Sequence, residues 1–224
     1  MKTVLKFFAM AACAASLSAC AASRSVVTLD QAKITAPAQT QAVAVKIVQV
    51  TDARTFEEDP PNPSDPSLSG DDVHDAALKA RAIGRKRNSY GMAMGDVMLP
   101  EGSTVSGVIR TAIANGFREA GYRVVEAGQE GFDQARPLSL RINAYWCWFQ
   151  PGFFGVTVHN RSRIDITGPL PNGASSLEIK GGAKDTMMAV TEDDWQNIAS
   201  EGLASLTANT AAALQGKPQK TVQP

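Results

Sequence analysis

Two histidines, a run of aspartates and serines between Asp65 and Ala76, and three cysteines are the residues of this chain whose types raise chemistry. For hydrolysis, His74 or His159 would need a serine or carboxylate within hydrogen-bond reach and a third group to orient the base. The Gly-x-Ser-x-Gly spacing that exposes a serine on a sharp turn is absent. His74 sits in an acidic stretch and reads as a solvated loop residue. His159, beside Arg161 and Arg163, reads as a surface position on a strand. Asp65-x-Ser67-x-Ser69-Gly70-Asp71 follows the opening of a calcium loop, but Ala76 holds the twelfth position, where a bidentate glutamate belongs. No two His or Cys residues have zinc-ligand spacing, and Gly91 and Gly95 do not form a phosphate-binding loop. The chain reads as non-enzymatic, without metal or cofactor.

Cys20 has a different context. Lys2 and Lys6 make a positive start, and Val4 to Ala15 is apolar but too short to span a bilayer as a resident helix. Leu17-Ser18-Ala19-Cys20 follows. This succession resembles the lipobox of bacterial lipoprotein signal peptides; the alternative is an ordinary secretory signal that ends near Cys20. The resemblance implies removal of residues 1–19, a diacylglycerol on the Cys20 thiol and an N-acyl chain on its amine. One acyl chain holds only reversibly, so the implied set of chains gives a firm membrane anchor. Ala21 stands where an aspartate favours inner-membrane retention in enteric-type lipoproteins. The resemblance therefore implies the periplasmic face of the outer membrane.

Removal of residues 1–19 leaves 205 residues with twenty basic and twenty-two acidic side chains, a net charge of −2. Nucleic-acid binding would need a basic patch or stripe instead. Cys147 becomes the only cysteine with a free thiol, so no internal disulfide can form. Residues 20–41, rich in Ala, Ser, Thr and Gln, read as a tether reaching roughly 25 Å if flexible. A single domain is expected over 42–214, with a disordered polar tail over 215–224.

Within the domain, Val43, Val45 and Ile47 alternate as a first strand to about Val50. An insert at about 55–80 follows; Thr55 to Ala76 holds four prolines and seven acids, which disfavours a strand or helix. A basic stretch comes next: Lys79, Arg81, Arg85, Lys86 and Arg87. Ser103 to Ala120 predicts a helix, with Val105, Val108, Ile109, Ala112, Ile113 and Phe117 on one face. Ser103 can cap it and Gly121 can end it. A strand is expected over 122–126. Leu138, Leu140, Ile142, Ala144, Trp146 and Trp148 alternate as a long strand, with Phe154 to Ile166 as its return and a shorter strand near Leu177 and Ile179. A last helix starts near Thr191 with capping-box spacing to Asp194. The expected fold is an α+β two-layer sandwich: a mostly antiparallel sheet of four to five strands with two helices on one face.

The run VKIVQVTDAR, the Gly-containing basic segment and TVSGVIRTAIANGFREAGYRVVE resemble YajG-type lipoproteins, small periplasmic proteins with the same strand, helix and Gly-Tyr-strand order. The architecture is also similar to the lipoprotein subunit of the lipopolysaccharide translocon. Asp52 and Arg54 read as a structural ion pair at a strand end. Six of the twelve aromatics after residue 19 lie between Tyr145 and Phe154. With Trp146, Trp148 and Phe154 facing the helices, Tyr145, Phe149 and Phe153 would face the uncovered side as candidate partner contacts. A wide core capped by loops is the alternative. The charge switch between 57–75 and 79–87 reads either as a self-neutralising solvated loop or as a mobile binding segment. The function expected is an accessory interaction module of a cell-envelope complex, with an envelope protein as partner and the membrane reached through the anchor. A lipid or glycolipid carrier is the alternative, and an envelope hydrolase a third.

Overall fold

The computed structural model describes residues 24–30, 43–88, 90–153 and 155–222. A two-residue strand β1 (Ser25–Val26) precedes β2 (Ala44–Asp52), in which Val45 and Ile47 are buried and Val48 bulges out to solvent. The insert then contains a 3-10 turn (Gly70–His74) and a short helix α1 (Ala76–Arg81). Asp75 caps α1 by accepting from the amides of Ala77 and Leu78 at 2.7 and 3.1 Å. The basic stretch becomes β3 (Ala82–Arg87), which forms a hairpin with β4 (Ala93–Met98). Helix α2 (Val105–Glu119) is capped by Thr104, one residue past the expected Ser103, and ends at Gly121 with φ of +87°. After the short β5 (Arg123–Val124) come three long strands, β6 (Arg136–Pro151), β7 (Val156–Thr167) and β8 (Ser176–Met187). Helix α3 (Glu192–Leu214) starts where Asp194 Oδ2 accepts from both Thr191 N and Oγ1 at 2.7 Å, as the capping-box spacing requires.

All eight strands belong to one mixed sheet, and four of its seven pairings are parallel. The expectation of four to five mostly antiparallel strands is corrected: the meander β6–β7–β8 is antiparallel, but β2 and β3 both join β6 in parallel. The two neighbours share one edge of β6. β2 pairs it from Arg136 to Ile142, and β3 pairs it at Cys147, where Gly84 gives the clearance for close approach. Strand β6 is long enough to hold two half-sheets, β2–β5 below and β3–β4–β1 above.

Helices α2 and α3 cover one face, burying Ile109, Ile113, Phe117, Trp195, Leu203 and Leu206 against Val45, Leu138, Leu140, Ile164 and Ile179. The two-layer expectation fails on the other face. There the insert lays Leu68, with Phe56, Val73 and Leu78, over Ala82, Met98, Trp146 and Trp148. The insert is neither a solvated loop nor an unseated segment, since Ser67 and Leu68 are fully buried within it.

Arg54 joins the half-sheets. Its side chain is fully buried and its five N–H donors meet five acceptors. Nε and one Nη2 bond reach the Asp52 carboxylate at 2.9 and 2.7 Å. Nη1 donates to Ala82 O and Tyr145 O at 2.6 and 3.2 Å, and Nη2 also reaches Lys79 O at 2.8 Å. These carbonyls lie where β6 passes from β2 to β3.

Both chain ends differ from expectation. Residues 24–30, placed in the tether, are seated on the domain: β1 pairs with Val97 and Met98, Val27 is buried, and Asp30 N donates to Ser200 Oγ. The signal peptide and the rest of the tether lie outside the described residues. Past Leu214, residues expected as a disordered tail run along β8. Gln219 accepts from Lys180 N and donates to Glu178 O, while Asn209 holds the Lys220 backbone. Side-chain amides thereby blunt an edge strand.

Arg54→Met should lower the unfolding free energy by about 3–5 kcal/mol in urea titration, because the Asp52 carboxylate and three carbonyls lose their donors. Arg54→Lys should recover only part, since three ammonium donors cannot reproduce a five-donor fork.

Candidate functional site

The aromatic hairpin is built by a change of phase within β6. From Leu138 to Ile142 the even-numbered residues face the helices. Asn143 is then an extra residue, since Ile142 pairs with Ile164 while Ala144 pairs with Arg163. Its amide holds Asp165 Oδ2 at 2.8 Å. One inserted residue exchanges the faces of everything after it. Beyond the bulge, the odd-numbered Tyr145, Cys147 and Phe149 turn toward the helices, and Trp146 and Trp148 turn toward the insert.

This reverses the expected arrangement of the candidate contacts. Tyr145 is fully buried and donates from Oη to Ala199 O of α3 at 2.9 Å. Burial raises its pKa well above the ordinary value. Phe149 is half-buried, edge-on to Trp195 at 6.3 Å. Phe153 alone matches the expectation of exposure, at 94%. Phe154 and Cys20 lie outside the described residues.

The Trp-bearing face is closed by polar contacts as well as by Leu68. Trp146 donates to Pro63 O at 3.3 Å and meets Phe56 edge-on at 5.9 Å. Arg161 donates to Ser64 O at 3.1 Å and Arg87 to Pro60 O at 3.2 Å. Arg85 donates to Ser69 Oγ at 2.8 Å. The oxygens of the calcium-like run therefore face arginines and a helix cap instead of one centre: Asp65 lies 3.9 Å from Arg161, Asp72 pairs with Arg24 and Asp75 caps α1. Among the described residues no three His, Cys, Asp or Glu side chains cluster as metal ligands.

A buried charge pair with no local sequence signal lies in the upper half-sheet. Arg85 and Asp96 face each other across β3 and β4 at 3.9 Å. Among the described residues Arg85 Nε and Nη1 and Asp96 Oδ1 meet no hydrogen-bond partner, while Asp96 Oδ2 accepts from Arg24 Nε at 3.2 Å. The N-terminal segment thus supplies the buried carboxylate with its direct hydrogen bond. The basic triplet Arg85-Lys86-Arg87 ends β3, and without apolar alternation it gives no local sign of a strand.

His159 is buried, not superficial. Its ring stacks on Trp148 at 5.0 Å with 8° between the planes, and the Arg161 guanidinium lies 5.6 Å from the same indole. Desolvation, then the charge of Lys184, lowers its pKa below 6.5. An orienting carboxylate would act in the opposite direction. Beside it, Gln150, Thr157, Lys184, Asp185 and Thr186 line an open polar basin of about 460 Å³. His74 is exposed on its 3-10 turn. Cys147 is buried and its thiol is pushed up to about 12, with Asn160 Nδ2 3.2 Å from Sγ. Asn160 Oδ1 accepts from Ser162 Oγ at 3.0 Å, which makes a small polar node inside the helix-covered core.

Among the described residues no helix is long and apolar enough to cross a membrane. No family model and no curated protein sequence match the chain. Among solved structures, one described as an uncharacterized protein aligns with TM-score 0.46 and 12% identity over 85% of this chain and 99% of its own. A Xanthomonas campestris protein of the DUF330 family aligns with TM-score 0.47 and 8% identity over 86% and 95%. A minor lipoprotein from Acinetobacter baumannii aligns with TM-score 0.31 and 12% identity over 55% and 92%. Likenesses at these values carry no argument about function.

Two outcomes follow from the site's chemistry. As pH falls through about 6.5, the unfolded imidazole takes up a proton that folded His159 resists, so stability should decline between that value and the lower folded one. His159→Phe, which keeps a ring on Trp148, should flatten this decline in denaturant titrations between pH 7.5 and 5. A maleimide probe should leave Cys147 unmodified in the folded protein and react once it is unfolded.

Proposed function

We propose that the chain is a bacterial lipoprotein, anchored through an acylated Cys20 to the periplasmic face of the outer membrane. There it acts as a non-enzymatic interaction or accessory module of an envelope complex. The observation that carries this reading is the order of Lys2, Lys6, the apolar run and Leu17-Ser18-Ala19-Cys20. The likeness to YajG-type lipoproteins points the same way, and Ala21 favours the outer membrane. The surface offered to a protein partner is the stretch of the second sheet face that the insert leaves open, around Gln150, Thr157, Lys184 and Thr186.

A lipid carrier would need an apolar cavity between the helices and the sheet. That interface is tightly closed where it would have to open. A side chain at Gly202 of α3 would collide with the Asn160 carboxamide, and one at Gly181 of β8 would meet Leu206 at 2.9 Å. A hydrolase would need a histidine facing a nucleophile, whereas His159 lies flat on Trp148 and His74 stands in solvent.

Intact mass and membrane fractionation test the reading. The native protein should weigh residues 20–224 plus a diacylglyceryl group and one amide-linked acyl chain, and should travel with the outer membrane. Cys20→Ala should leave the domain folded but free of the membrane. A native chain without acyl groups would overturn the anchor; an acylated chain in the inner membrane would overturn the address.

A further inference from the structure

The four most exposed large apolar side chains among the described residues are Phe153 at 94%, Tyr90 at 91%, Met188 at 85% and Met92 at 66%. They come from three separate connections, yet the topology gathers them at one end of the sheet. β3 and β6 run parallel, and β8 runs the same way because β7 is antiparallel to both of its neighbours. The three strands therefore finish together. Tyr90 and Met92 follow β3, Phe153 follows β6 and Met188 follows β8. The last connection is drawn in beside the others, since Val190 and Thr191 line a groove with Arg87 and Phe149.

The N-terminal segment leads to the same end. β1 is parallel to β4, with Ser25 opposite Val97 and Arg24 bonded to Asp96, and β4 emerges from the hairpin that carries Tyr90 and Met92. Ser25 also accepts from Lys86 Nζ at 2.5 Å and bonds Glu192 at the start of α3. Four peptide units separate Cys20 from Arg24 and span at most about 14 Å. Met92 precedes Asp96 by four residues, about 13 Å along a strand. An acyl anchor at Cys20 is thus confined to the neighbourhood of the sheet end where the apolar tips project.

We propose that Tyr90, Met92, Phe153 and Met188 form a membrane-facing rim that dips into the interfacial layer of the bilayer holding the Cys20 acyl chains. The proposal rests on the anchored reading above and adds the orientation of the domain. Tyrosine suits that layer, with an apolar ring and a polar hydroxyl, and methionine adapts to an irregular apolar surface. Each tip binds weakly by itself, but the short connection makes its contact intramolecular and raises its effective concentration. Charge near the rim is mixed: Lys86 and Arg87 stand near Glu192. The contact therefore needs no anionic lipid.

The test uses the full acylated protein in phosphatidylcholine vesicles that carry nitroxide-labelled lipid. Single cysteines introduced as Tyr90→Cys, Phe153→Cys and Met188→Cys take an environment-sensitive fluorophore, while buried Cys147 stays silent. Asn172→Cys, in the exposed turn at the opposite end between β7 and β8, is the control. Quenching by the lipid nitroxide should be at least about threefold stronger at 90, 153 and 188 than at 172, as interfacial burial requires. In an acylated chain, equal quenching at all four positions, or none at the tips, overturns the rim. Tips that are shielded from aqueous quencher but not reached by lipid would indicate a protein partner and also overturn it. Intact mass of the same sample separates the premises: a chain without acyl groups fails as an anchored protein and takes the rim with it.

Discussion

Strand β6 has one edge and two successive neighbours on it, and the guanidinium of Arg54 occupies the gap between them. Where β2 has ended and β3 has not yet joined, the carbonyls of Tyr145 and Ala82 would face each other without a donor. A buried carbonyl left in that state costs about 1–3 kcal/mol. Arg54 supplies both at once and takes Lys79 O as well, while Asp52 balances its charge from two residues back. Phe56 lies 5.0 Å from the guanidinium carbon and continues the same stretch of chain into the second core. The insert begins at this point. Its seat over the tryptophans depends on a side chain that also joins the two half-sheets.

A second device gives the insert something to cover. The bulge at Asn143 turns Trp146 and Trp148 away from the helices and brings Tyr145, Cys147 and Phe149 toward them. Two cores form on one strand, and neither is complete without a polar tie. Tyr145 is tied to α3 through Ala199, and Trp146 to the insert through Pro63. Arg85, Arg87 and Arg161 each donate to a backbone carbonyl or a serine of the insert. A basic cluster in sequence thereby becomes internal scaffolding.

The long helices and the meander could be read from the chain because their signals are local. Apolar spacing from Val105 to Phe117, the Thr191–Asp194 cap and the alternation from Leu138 to Ile142 need no knowledge of distant residues. The Asn143 bulge was hidden because Ala144, Trp146 and Trp148 continue the apolar alternation across it. Strand β3 was hidden for the opposite reason: Arg85 is buried by partners more than ten residues away, so its charge misleads a local reading. β1 was hidden by brevity, since two residues carry no period. The spacing of Asp52 and Arg54 at a strand end points to a structural pair, but only the fold shows that Arg54 reaches three carbonyls beyond its carboxylate. Of the candidate contacts, Tyr145 and Phe149 shared the fate of the bulge, whereas Phe153, beyond the strand, kept its exposure.

With residues 24–30 seated on the fold, three residues separate Cys20 from the seated segment, far fewer than a twenty-residue tether would supply. Under the anchored reading proposed above, position relative to the bilayer becomes a property of the fold, set by β1 beside β4 and by Arg24 on Asp96. That placement depends on the upper half-sheet, and the upper half-sheet meets β6 beside Arg54. Amide hydrogen exchange on Arg54→Lys tests this dependence most directly. Exchange should accelerate in 57–69, 82–87 and 93–98 and at the seated segment 24–30, while the β7–β8 ladder and α3 keep their protection. Uniform acceleration across the chain, or none in the insert and upper half-sheet, would contradict the role given to Arg54.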